Sequence, residues 1–261
     1  TVLVDVDPVT CTLDPAKIEA AITPRTRVIM PVHLYGQPAD MDPILEIARR
    51  HNLVVIEDAA HSLGTTWHGR NIGTIGRIGC FSFQSYKLLN AGEGGILVTD
   101  DADLVARAVI MSGAYEHNWK KHPVLTNSFA RWQNKLPLYN LRLNNLSAAI
   151  VRPQLGELDR RVADGRRNHD HVAALLNASP WIKVPEKLAA EDRAPDSIQF
   201  NITGMTDAQI AVFAETAGAN GVKVQVFGAS KDNARAFWNW EFLGPQPDLP
   251  QTRAMLMRAC D

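Results

Sequence analysis

Apolar and polar positions alternate with two different periods along the first hundred residues, and each switch of period marks a change of element. "VLVDVD" near the start alternates with period two and predicts a strand. "LDPAKIEAAI" has helical spacing, with Asp14 as N-cap and Pro15 at the first helical position. "RVIMPVHLYG" predicts a strand running into a turn, and "MDPILEIARRHN" a helix started by Asp42 and Pro43. "LVVIED" is too apolar to have a wet face, as expected of a buried strand. Two successive β-helix-β crossovers result, both expected to be right-handed. "RIGCFSF" and "GGILVTD" then predict two strands joined by a loop, and a helix follows near "DADLVARAVIMSG".

The pattern changes between Tyr115 and Leu141, where histidine, tryptophan and proline recur without a period, and an extended, partly exposed segment is expected. A long helical stretch follows from about Leu146 to Ala178, started or kinked at Pro153 and weakened at Gly165. Its "DRRVADGRRNHDH" face reads as solvated surface. Beyond Pro180, "SIQFNI" predicts a strand, "TDAQIAVFAETAGANG" a helix capped by Thr206, and "VKVQVFG" another strand. The expected fold class is α/β: a mostly parallel large-domain sheet in residues 1–150, then a linker helix and a smaller C-terminal α/β domain in 151–261.

Composition narrows the function. The 261 residues carry 27 Lys and Arg against 28 Asp and Glu, so no net field draws the chain to nucleic acid or to an anionic membrane. A small substrate is expected instead. Cys11, Cys80 and Cys260 are widely spaced, form no metal-type pair and suit a reducing cytoplasm. No apolar stretch approaches a membrane span and no signal peptide is visible. The opening "TVLVDVD", without an initiator Met and already alternating, reads as a chain entered partway through a sheet, and "MLMRACD" as an end cut short.

In open α/β sheets ligands bind beyond the carboxyl ends of the strands, and Asp58 and Lys87 both fall there. Asp58 ends "VVIED", where a carboxylate needs a cationic partner or serves as an ordinary helix cap or loop aspartate. Lys87 stands in "FSFQSYKLLNAGEGG". A phosphate-loop lysine follows its glycines and opens a helix; here the glycines follow the lysine and lead into a strand. A dinucleotide fingerprint fails on spacing. What remains is a surface lysine, or an amine that loses its proton by desolvation and forms a Schiff base with an aldehyde. Lysine and aspartate together suit pyridoxal phosphate, whose ring nitrogen an acidic partner keeps protonated.

"PVHLYGQPADMD", "VVIEDAAHSLG", "GTIGRIGCFSFQSYK", "AGEGGILVTDD" and "YNLRLNNLSAAI" together resemble the DegT/DnrJ/EryC1/StrS family of pyridoxal-phosphate-dependent sugar aminotransferases. The match runs collinearly through residues 1–155. The resemblance implies an aspartate-aminotransferase-like fold of type I, with Lys87 as Schiff-base amine and proton shuttle and Asp58 on the pyridine nitrogen. It further implies His61 on the ring oxygen, Ala60 as the small residue beside the ring, and Ser82 on the phosphate. Asn140 would reach the phosphate of a neighbouring subunit, making the working unit a homodimer with shared sites. Each has a plainer reading: a buried histidine for His61, a strand serine for Ser82, a turn asparagine for Asn140.

The implied reaction takes an amino group from glutamate or glutamine to a keto-sugar or cyclitol. Two alternatives stand beside it. Sugar dehydratases of this group carry histidine in place of the lysine, which Lys87 argues against, and a non-catalytic paralogue would have lost the cofactor. The family's chains also carry a segment before the equivalent of Thr1, with a helix N-terminus that cradles the phosphate and an aromatic that stacks on the ring; neither is expected here. His33, Trp67 and His68 either shape the entrance or pack, and "YEHNWKKHP" lines the cavity or forms a loop.

Overall fold

The structure, a computed structural model, describes residues 1–113, 117–122, 126–229 and 235–261. In chain order the first part contains α1 (Pro15–Ala21), β1 (Val28–Ile29), α2 (Met41–Arg50), β2 (Val54–Asp58), β3 (Thr66–Trp67), β4 (Arg70–Asn71), β5 (Ile78–Ser82), β6 (Gly95–Val98), α3 (Ala102–Ser112) and α4 (Thr126–Trp132). The second part contains α5 (Asn145–Gln154), α6 (Leu158–Asn177), β7 (Ile182–Lys183), β8 (Glu191–Asp192), β9 (Phe200–Ile202), α7 (Asp207–Ala219), α8 (Pro250–Leu256) and β10 (Ala259–Cys260).

The main sheet has the order β1-β2-β5-β6. β1, β2 and β5 are parallel and β6 returns antiparallel to β5. In β2, Val55 and Glu57 are buried while Val54, Ile56 and Asp58 lie on the other face. α2 buries Met41, Ile44, Ile47 and Ala48, an i, i+3, i+6, i+7 stripe, against Ile29 and Val55. Asp14 caps α1 as expected, accepting from Ala16 N at 2.9 Å. α2 begins two residues earlier than predicted, after Asp40, and Asp42 spends its carboxylate on Trp67 Nε1 and His68 Nε2 instead, both at 2.8 Å.

Several expectations are corrected. "VLVDVD" is no strand: its alternation finds no neighbouring strand beyond an isolated Val6–Leu13 bridge. Asp5 instead accepts from Gln251 N, Thr252 N and Thr252 Oγ1, satisfying the free amides that open α8. Among the described residues one helical crossover, β1-α2-β2, is present in the main sheet; β2 reaches β5 through the β3–β4 hairpin, whose turn holds His68 and Gly69 at positive φ. The stretch before Leu141 is partly helical, since Phe129 of α4 packs on Ala106 and Ile110 of α3. Tyr115 lies outside the described residues. The long predicted helix is two, α5 and α6, separated by a single tight turn at Leu155–Glu157 just after Pro153. "VKVQVFG" forms only a bridge from Val226 to Cys260. The sheet it borders, β10-β9-β7, packs its own apolar cluster around Phe200, Ile202 and Ile210. α7 has the predicted Thr206 cap, closed as a reciprocal box with Gln209.

Candidate active site

Parallel pairing of β2 with β5 brings Asp58 opposite Cys80 and puts the carboxyl ends of both strands on one edge of the sheet. β5 ends at Ser82, and the chain then closes a loop through Phe83 N to Gly94 O and Ser85 N to Gly92 O. Gly92 and Gly94 adopt φ of +81° and +135°, which supplies the tight return to the sheet. Phe83 and Leu89 anchor the loop in a cluster with Val151 of α5. From the far side Arg161 donates to Leu88 O at 2.8 Å, and Gln154 Nε2 donates to Asn90 O at 2.7 Å. Lys87 lies just before both strapped positions.

The side chain of Lys87 turns back to the sheet edge, where Nζ lies 2.6 Å from His61 Nε2. Burial lowers the proton affinity of the amine, with Asp196 and Asp58 opposing and Arg235 assisting. Burial and then Lys87 push the His61 imidazole down to about 4, against the pull of Asp58. His61 is thus neutral near pH 7, and its Nε2 lone pair accepts from the Lys87 ammonium. No helix follows Asp58, so it caps none; its Oδ1 accepts from Ala60 N at 3.1 Å in a local turn, as a loop aspartate does, and the other oxygen accepts no hydrogen bond among the described residues. Ser82 Oγ accepts from Gln84 N at 3.2 Å.

Asp58, Ala60, His61, Ser82 and Lys87 therefore share one sheet edge. Asn140 stands apart: it is exposed, bridges to Gly113 at the end of α3, and its Oδ1 accepts from Arg142 at 3.4 Å.

A cavity of about 490 Å³ opens beside Lys87, lined among others by Arg161, Asn168, His169, Asp196 and Ser197. The polar face of α6 is thus only partly a solvated surface. Arg160 and Arg167 make exposed ion pairs, but Arg161 holds the lysine loop and Arg166 donates to Arg193 O at 2.6 Å. Gly165 does not merely weaken α6. A Cβ there would lie 2.3 Å from Pro195 O, so the glycine lets the helix touch the segment between β8 and β9 that carries Asp196.

His33 is packing, fully buried with Glu57, and Trp67 belongs to the core. Within "YEHNWKKHP", Trp119 stacks on Phe129 at 5.6 Å and His122 packs edge-on against the same ring. Sequence reasoning passed over Glu57, Asp196 and Tyr35. Strand alternation was the available signal for Glu57, since it puts neighbours Glu57 and Asp58 on opposite faces.

An α/β fold with a half-buried lysine in the loop beyond a largely parallel sheet, facing a histidine and a strand-end aspartate, defines the class of the fold-type-I transferases. The chain belongs to the DegT/DnrJ/EryC1/StrS aminotransferase family, whose model matches residues 1–260. It is 47% identical over 167 residues to GDP-perosamine synthase from Caulobacter vibrioides, covering 64% of this chain and 42% of that protein. It is 45% identical over 177 residues to L-glutamine:scyllo-inosose aminotransferase from Streptomyces griseus, covering 67% of this chain and 42% of that one. The chain thus matches less than half the length of either relative. The crystal structure of 3-amino-5-hydroxybenzoic acid synthase superposes with a TM-score of 0.83 at 30% identity, over 100% of this chain and 67% of that one. No helix among the described residues is long and apolar enough to cross a membrane.

Proposed function

We propose that this protein is a pyridoxal-phosphate-dependent aminotransferase that takes an amino group from glutamate or glutamine and gives it to a keto-sugar or cyclitol. The observation that carries the reading is the 2.6 Å contact of Lys87 Nζ with His61 Nε2 at the sheet edge that also holds Asp58. Pyridoxal phosphate, when bound, supplies an aldehyde for an amine and a protonated ring that takes up the electrons of a carbanion. The residues fit that group. Lys87 is an amine with lowered proton affinity, and Asp58 keeps one carboxylate oxygen without a hydrogen bond among the described residues.

In this reading Lys87 engages the aldehyde and later moves a proton at Nζ, while Asp58 holds a ring N–H. His61 orients the amine and meets the ring oxygen, Ala60 leaves room beside the ring, and the Ser82 hydroxyl meets the phosphate. The names of the two curated relatives, one for a sugar product and one for a cyclitol acceptor with glutamine, support the acceptor and donor classes. The division into a cofactor-binding unit, 1–150, and a smaller unit, 151–261, belongs to the same reading, as does a cytoplasmic setting.

The working unit in this reading is a homodimer in which Asn140 serves the neighbouring subunit's phosphate. Leu138, Tyr139 and Leu141 around it are exposed apolar side chains, which supports an interface there. The test is the absorption spectrum of the protein with added pyridoxal phosphate. A visible band that glutamate or glutamine shifts, and that is lost in Lys87→Ala, is expected. No band in the unmutated protein would sink the reading.

A further inference from the structure

We infer that Tyr35 is a positioning residue for the Lys87–His61 pair, its ring set edge-on against the imidazole so as to fix the direction in which Nε2 meets the amine. The inference rests on the reading that Lys87 is the reactive amine. The ring centroids of Tyr35 and His61 are 4.7 Å apart at an interplanar angle of 75°, the favoured edge-to-face arrangement. On its other side Tyr35 stacks on Phe227, 6.2 Å away and tilted by 17°. Phe227 N donates to Ala259 O, so its place is set by β10. Two rings therefore connect the C-terminal sheet to the imidazole that touches Lys87.

The backbone shows that Tyr35 is held there at a cost. Tyr35 and Gly36 have φ of +54° and +82°, and Gln37 N donates to Leu34 O at 2.9 Å, closing a hairpin-type turn that normally opens with Asn, Asp or Gly. A side chain with a Cβ is disfavoured in this region. The surroundings enforce it. Thr65 Oγ1 donates to Gly36 O at 2.8 Å and accepts from Ala194 N at 3.0 Å, and a Cβ on Gly36 would lie 2.5 Å from Ala194 O. The turn is pinned at Ala194, two residues before Asp196, and a strained residue fixed this firmly aims its ring at one target.

The charged groups facing His61 are Lys87 from the loop after β5, Asp58 from β2 and Arg235 from the C-terminal segment; Tyr35 covers the imidazole without adding a charge. Removing the ring admits water to His61 and frees its rotation.

The experiment follows the His61 imidazole by long-range proton–nitrogen NMR across a pH series, in the full protein without cofactor. It is done for the unmutated chain, Tyr35→Phe, Tyr35→Leu and Tyr35→Ala. In Tyr35→Ala the midpoint is expected to rise by about one unit or more, a tenfold change in proton affinity. Tyr35→Phe should restore the unmutated midpoint, because the ring and not the hydroxyl acts. Tyr35→Leu keeps apolar volume in the turn and should move the midpoint in the same direction as Ala, so a fold lost in Ala leaves the question answerable. An unmoved midpoint in Tyr35→Leu, or a shift in Tyr35→Phe equal to that in Tyr35→Leu, would overturn the inference. The titration needs no cofactor, so it reads Tyr35 whether or not the protein takes up pyridoxal phosphate.

Discussion

Two neighbouring carboxylates on β2 have opposite fates. Glu57 points into the core and is fully buried. Its Oε1 accepts from Ile75 N and Gly76 N, and its Oε2 from Gly73 N and His33 Nε2. The tautomer is fixed, because His33 Nδ1 accepts from Ala39 N at 3.1 Å and leaves the proton on Nε2. Although burial pushes the Glu57 carboxyl up, the His33 bond and the amides of Gly76 and Gly73 hold it below the ordinary carboxylate value. Asp58, one residue on, is half-buried and accepts a single local hydrogen bond from Ala60. Each carboxylate also has a histidine in its surroundings, but only the Glu57 pair is closed. A network with every acceptor used fixes structure, whereas one with an acceptor to spare and an amine out of its usual range is free for chemistry.

The sharpest break of that comparison is Lys87→Ala. Amino transfer should fall by on the order of a thousandfold or more. Unfolding free energy should change by less than about 1 kcal/mol, because the amine is already poorly solvated and its partner is neutral. Rate assays and urea unfolding on the same preparation check both halves. A large stability loss would place Lys87 in the closed class instead.

Glu57→Gln should do the reverse. One carbonyl oxygen cannot accept what two carboxylate oxygens accept, so at least two buried donors face an amide NH₂. The expected cost is about 3 kcal/mol of stability. The His61 titration should keep its midpoint, as the two groups occupy opposite faces of the strand. Denaturant midpoints and the imidazole NMR signal measure the two together, and an equal disturbance of both would show that the faces are coupled.

The open group was far more legible in the sequence than the closed one. Lys87, His61 and Asp58 are polar residues stranded at the ends of apolar runs, a local signal that survives without a structure. Glu57 shares that run, but its partners come from the "GTIG" turn and from His33, and only the fold brings those together. The α2 stripe and the Asp14 and Thr206 caps were readable because each is decided within a few residues. "VLVDVD" misled for the opposite reason: alternation states which side chains could share a face, and says nothing of whether another strand lies alongside. Gly165 carries a propensity cost as its type predicts, but its close approach to Pro195, thirty positions on, was not legible locally.

Gly165→Ala sharpens the contrast with a smaller effect. The new methyl would press on Pro195 O and shift the segment carrying Asp196 and Ser197, which line the cavity beside Lys87. Overpacking of this kind costs about 1–3 kcal/mol. Helix propensity returns somewhat less than 1 kcal/mol, so a net loss near 1–2 kcal/mol is expected. The Michaelis constant for the acceptor should rise, while the Glu57 network keeps its amide exchange protection. Unaltered substrate affinity would mean that the cavity face of α6 has no part in the open group.

The smallest effect separates the two groups by pH. His61 holds its proton less tightly in the folded chain, near 4, than the ordinary imidazole value of 6.5. Between those values the unfolded chain therefore binds more protons, and stability falls as the pH drops from about 6.5 to about 4, then ceases to change on this account. Allowing for its partial exposure, the loss is on the order of 1–2 kcal/mol. Glu57 acts lower down: its folded value lies below the ordinary 4.5, so the stability it contributes above that value is lost as the pH falls through the folded one. His169, lowered by burial and then by Arg193, adds to the first window, so the informative quantity is a difference between variants. His61→Leu should flatten part of the decline between 6.5 and 4 and leave the steeper loss below 4.5 in place. Glu57→Gln should do the converse. Urea unfolding at half-unit pH steps measures both, and a His61→Leu profile parallel to that of the unmutated chain through the upper window would show that the imidazole is not held neutral by the site.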